Sequence, residues 1–88
     1  MSTVKQKIEA GAKIVDVRSP DEFRDGGYPG AVNIPLQALG ARVGEIAKDK
    51  PVVLYCASGA RSGMAARQLK QAGFTDVTNA GGLDDMPR

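Results

Sequence analysis

Pro51-Val52-Val53-Leu54-Tyr55 is a near-continuous apolar run that ends on Cys56, and Ala57-Ser58-Gly59-Ala60-Arg61-Ser62 follows it directly. An unbroken run of this length and β-branched content fits a strand buried on both faces of a parallel sheet. The strand carries a cysteine to its C-terminal end, the edge at which open α/β sheets bind ligands. The residues after it are small. They let backbone N–H groups turn inward around a single point, and a helix N-terminus behind such a ring makes a site for an anion. A helix is predicted over residues 62–72, with Ala65, Leu69 and Ala72 on one face and Gly73 as its stop.

Outward from this stretch the elements alternate in type. Residues 3–10 form a short helix closed by Gly11, and residues 13–17 a short strand. Ser19-Pro20-Asp21-Glu22 is a helix start with its capping box, Ser at the cap and Glu three positions later. Gly26, Gly27, Pro29 and Gly30 force a loop, and residues 31–34 follow as a strand. Leu36, Leu39, Val43 and Ile46 stand at helical spacing, predicting an amphipathic helix over residues 36–48. Residues 76–78 read as a last strand and residues 79–82 as a loop. The expected fold is therefore α/β, one domain over residues 1–88, with a parallel sheet of four or five short strands flanked by helices on both faces.

Composition narrows the function. Twelve basic residues stand against ten acidic ones, for a net charge of +2, without a basic run or an aromatic stacking series. That balance argues against nucleic acid as a partner. No apolar stretch is long enough to span a bilayer, and the first residues lack the apolar core of a signal peptide. The expected location is cytoplasmic, or periplasmic if a leader has been removed. One cysteine allows no internal disulfide, and the absence of histidine removes imidazole-based catalysis and nearly every zinc site. No metal or organic cofactor is expected.

A lone cysteine after an apolar strand is ordinarily an inert core residue. A core cysteine, however, needs no following loop of small residues that ends in an arginine and a helix start. An amide ring and the positive end of a helix lower the thiol pKa, so that the thiolate can attack an electrophilic sulfur and leave a cysteine persulfide. In this reading Cys56 is the nucleophile. Ala57, Ser58, Gly59, Ala60 and Ser62 hold the substrate sulfur, and Arg61 supplies a positive charge to an anionic donor or leaving group. Ser62 is also expected to cap the helix. Asp16, at the end of the first strand, is a supporting residue that braces the loop or orients Arg61, with a turn cap as the equal alternative. Arg18 reads first as a solvated arginine and second as a member of the anion site. Glu22 reads as the capping-box acid alone, and Tyr28 as a pocket wall or loop packing.

The loop Cys56-x-x-Gly59-x-Arg61-Ser62 resembles the active-site loop of the rhodanese homology domain. Three further segments resemble motifs of that family in the same order: residues 16–23, residues 26–35, and Asn79-Ala80-Gly81-Gly82-Leu83. The tail is most similar to that of small periplasmic thiosulfate sulfurtransferases of bacteria. The resemblance implies a sulfurtransferase that takes a sulfane sulfur from thiosulfate or a related anion and passes it to cyanide or a thiol, with a protein donor or acceptor as a further possibility. Two departures stand out. Gly27 lies where the family commonly has histidine, which reads as a local packing or turn change, and no tryptophan follows Gly81-Gly82.

Two other readings remain open at this point. A non-catalytic persulfide carrier would use the same cysteine. A Cys-loop phosphatase or arsenate reductase would share the cradle, but those loops place five residues between cysteine and arginine, and here there are four. The smaller ring suits a sulfur atom better than a tetrahedral oxyanion.

Overall fold

Four short strands pair into one sheet in a computed structural model, which describes residues 3–88. The strands are β1 (Lys13–Asp16), β2 (Val32–Asn33), β3 (Val52–Cys56) and β4 (Val77–Gly82), all parallel in the order β2-β1-β3-β4. β3 lies centrally and is buried at every residue, as its apolar run requires. Parallel pairing sends the C-terminal ends of all four strands to one edge, and Cys56 lies there.

The helices cover both faces. α4 (Ala60–Gln71), α3 (Leu39–Arg42) and the 3-10 turns flanking α3 pack on one face, around Val15, Leu54, Ala65, Leu69 and Phe74. On the other face Ile14, Val53, Tyr55 and Met86 meet Val4 and Ile8 of α1 (Val4–Glu9). α2 (Pro20–Arg24) begins at Ser19, and both halves of its capping box are formed. Every buried side-chain nitrogen and oxygen among the described residues has a hydrogen-bond partner. None of the described helices is long and apolar enough to cross a membrane.

Three expectations change. The helix expected over residues 36–48 is broken into a 3-10 turn, the four-residue α3 and a second 3-10 turn. Its apolar face is kept, with Leu39 and Ile46 buried, but Gly40 and Gly44 weaken continuous helix. α4 starts two residues earlier than expected, with Gly59 as its N-cap at φ +102°. Ser62 is therefore the third residue inside the helix and not its cap. β4 continues through residues 79–82, read above as a loop, because Leu54 pairs with Asn79 and Cys56 with Gly82 across a register irregularity. At Gly27, a Cβ would stand 2.5 Å from the Phe23 ring, so the side chain missing there leaves room for that ring.

Gly82 is fixed by space and not by its dihedrals. A Cβ at this position would lie 2.2 Å from the Ala57 carbonyl oxygen and 3.0 Å from its carbon. Both atoms are backbone, so neither can rotate away. Gly82→Ala is expected to lower stability by about 1–3 kcal/mol, the usual range for overpacking. The readout is a lower urea midpoint at constant m-value. An unchanged midpoint would mean that β4 can move off the Cys56 loop at no cost.

Candidate functional site

The site is built at the point where β3 ends. Cys56 is only 1% exposed, so its sulfur sits inside the loop and not on the surface. The chain then turns through the exposed Ala57 and Ser58, and the left-handed φ of Gly59 directs it into α4. The Gly59 N–H donates to Cys56 Sγ at 2.9 Å. Ser62 lies one turn into α4 and fully buried, with its hydroxyl 3.3 Å from the same sulfur.

These donors set the thiol's acidity. Burial pushes the Cys56 pKa up. The Ser62 hydroxyl and the N–H groups of Ser62, Gly59 and Ser58 outweigh that and bring it from 9.0 down to about 7. Roughly half the thiol is then ionised at pH 7, against a few per cent for a free cysteine. Such an acidic thiol enclosed by donors is poised as a nucleophile, without an imidazole base.

The Ser62 hydroxyl has one proton and three acceptors in reach: Asn79 Oδ1 at 2.6 Å, Cys56 Sγ at 3.3 Å and the Gly81 carbonyl at 3.3 Å. With the neutral thiol the short bond to Asn79 is the better one. A thiolate is the stronger acceptor, so ionisation draws the proton toward sulfur. Asn79 Oδ1 keeps a second donor in either state, the Gly81 N–H at 2.9 Å, and its Nδ2 donates to the Gly59 carbonyl at 3.1 Å. Asn79 thus ties β4 to both the loop and Ser62.

Arg61 sits on the rim, 37% exposed in its side chain, and is held by two hydrogen bonds to Glu22, 2.8 Å from Nη1 to Oε1 and 3.0 Å from Nη2 to Oε2. Glu22 also accepts from the Ser19 N–H at 3.0 Å, so one carboxylate serves the cap of α2 and the rim of the Cys56 loop. The Arg61 hydrogen bond, followed by that from Ser19, holds the Glu22 carboxyl well below the usual carboxylate range.

The expected residues Cys56, Ser58, Gly59 and Ser62 come together around the sulfur. Ala57 turns its carbonyl to Gly82, and Ala60 opens α4 as an exposed residue. Arg18 departs from its first reading, and Asp16 matches one of its two. Asp16 is fully buried and accepts from the Arg18 N–H at 2.8 Å and from its guanidinium at 2.7 Å. The turn-cap reading of Asp16 fits this geometry, whereas Arg61 takes Glu22 as its partner. Arg18 is 7% exposed and not solvated. Its Nη2 also donates to the Gly26 carbonyl at 2.9 Å, and the guanidinium lies 5.5 Å from the Tyr55 ring centroid. Tyr28 is tied down by its hydroxyl, which donates to the Pro87 carbonyl at 2.6 Å.

Sequence reasoning missed the second role of Glu22, and it missed Asn79. A capping-box acid carries no signal of a partner 39 positions away. The small residues around Asn79 read as a loop, which hid its place on β4.

Known proteins resemble this chain in sequence and in fold. A Bacillus subtilis (strain 168) protein named YqhL, described as uncharacterized, is 49% identical over 81 residues, covering 89% of this chain and 64% of that protein. The thiosulfate sulfurtransferase PspE of Escherichia coli (strain K12) is 40% identical over 74 residues, 82% of this chain and 71% of the relative. The chain thus spans about two thirds of the length of these relatives. A solved structure described as rhodanese with anions from E. coli superposes with a TM-score of 0.81 at 38% identity, over 88% of this chain and 95% of that one. Residues 1–85 match the family described as Rhodanese-like domain, and the chain belongs to that family.

Proposed function

We propose that this chain is a sulfurtransferase that moves a sulfane sulfur through a persulfide on Cys56. The observation that carries the reading is the enclosure of one acidic thiol by hydrogen bonds from the Gly59 N–H and the Ser62 hydroxyl. The names of relatives such as PspE support the reaction class.

The reaction is a double displacement. Cys56 thiolate attacks the outer sulfur of thiosulfate, an Sγ–S bond forms, and the donor's S–S bond breaks. Sulfite leaves with the bonding electron pair, and the negative charge stays on the outer sulfur of the persulfide. The N–H groups that stabilised the thiolate face this new anion, so the same donors serve both states. Cyanide or a thiolate then attacks the outer sulfur, forming thiocyanate or a new persulfide and returning Cys56 as thiolate. A persulfide donor enters by the same first step and releases its own thiolate. Each step begins with an anionic nucleophile, so no general base is required.

Intact mass after incubation with thiosulfate is the direct test. The expected result is a gain of one sulfur atom that cyanide removes and that Cys56→Ala abolishes. An unloaded protein, or loading that survives Cys56→Ala, would overturn the reading. Loading without turnover onto cyanide or small thiols would instead identify a persulfide carrier.

The pH dependence follows from the thiol's acidity. Proton loss creates the nucleophile, so the second-order loading rate should rise about tenfold per pH unit below pH 7 and flatten above it. A midpoint near that of a free cysteine would contradict the donor cradle. Ser62→Ala removes one donor to the thiolate and should move the midpoint upward. A midpoint that stays in place would show that the hydroxyl serves Asn79 alone.

A further inference from the structure

Arg61 is the cation expected on the loop to meet an anionic donor, yet its guanidinium is already engaged on two nitrogens by the Glu22 carboxylate. The pair is half-exposed, at 37% and 36%, and the Arg61 cation is favoured by Glu22 first and by the Cys56 thiolate to a lesser degree. A rim arginine without a carboxylate presents a full positive charge to an approaching sulfonate. Here the rim presents a nearly neutral pair, and an anion that takes Arg61 must displace or share the carboxylate. A persulfide donor carries one negative charge at its reacting end where thiosulfate carries two, so it loses less when Arg61 is neutralised. Glu22 is itself anchored by the Ser19 N–H, so it is held in place against Arg61.

We infer that Glu22 is a positioning residue that acts through Arg61 to set donor choice, turning the mouth of the site from sulfonate-type donors toward persulfides. This rests on the sulfurtransferase reading for its substrate, but the charge control itself is a property of the mouth and can be measured without turnover.

Glu22→Gln is the discriminating variant. Glutamine keeps the capping-box acceptor for Ser19 and removes the charge from the partner of Arg61. Alkylation of Cys56 by iodoacetate, an anion, is compared with alkylation by neutral iodoacetamide. Both rates depend equally on thiolate fraction, so their ratio reads the charge at the mouth. The ratio should rise about 3- to 10-fold in Glu22→Gln at low ionic strength and shrink as salt is added, as expected when the Arg61 charge is left unbalanced at the mouth. Most of that gain should disappear in an Arg61→Gln background. With thiosulfate the larger part of the change should fall on KM, and with glutathione persulfide KM should move less. An unchanged iodoacetate-to-iodoacetamide ratio in Glu22→Gln overturns the inference, whatever the transfer activity. A raised ratio in a protein that transfers sulfur from no donor upholds the charge control and removes the sulfurtransferase reading instead.

Discussion

The backbone of β4 passes so close to the Ala57 carbonyl that Gly82 has no room for a side chain, and the rest of the site is arranged around that approach. With β4 in this position Asn79 reaches the Gly59 carbonyl, and the Ser62 hydroxyl lies between Asn79 and the sulfur. The register irregularity between Leu54 and Cys56 supplies the offset, bringing Cys56 level with Gly82 where regular pairing would not. The donor ring therefore needs β3, the loop, the first turn of α4 and the end of β4 together. No local segment could form it alone.

Two arginine–carboxylate pairs with different burdens flank this core. Asp16–Arg18 is buried, and every polar atom around it is engaged. Asn33 Nδ2 donates to the carbonyls of both residues at 3.0 Å, which joins β2 to the turn after β1. Removing one member would strand a buried charge, a change that typically costs about 3–5 kcal/mol. Arg61–Glu22 is half-exposed, and pairs of that kind add little to stability because water screens them. One pair fixes the fold behind the loop, and the other sets the charge at its rim.

The sheet and the cysteine loop were legible because their signals are local. Val52 to Tyr55 can only be a doubly buried strand, and the small residues after Cys56 have no use in a packed core. The parallel α/β class and helices on both faces follow from the alternation of elements. What escaped the sequence was tertiary. Glu22 satisfies a local rule so completely that nothing points to Arg61. Arg18 looks like any charged surface residue until Asp16, two positions earlier, is seen to be buried beside it. Asn79, Gly81 and Gly82 have weak strand propensity, and only pairing with β3 holds them extended. The broken segment around α3 kept its apolar spacing while losing its continuity, since periodicity records which side is buried and not whether the helix is unbroken.

The main-chain N–H groups of Ser62, Gly59 and Ser58 all lower the Cys56 thiol's pKa, and that of Gly59 does so by a direct hydrogen bond to the sulfur. Main-chain groups keep their place when side chains change, so the outward-facing positions at Ala57, Ser58 and Ala60 can take other side chains without dismantling the reactive sulfur. Reactivity and partner choice are thereby divided between two parts of the same six-residue turn. A scaffold divided in this way can diversify: descendants can acquire new clients by altering only the exterior of the loop, while each inherits an already activated thiol.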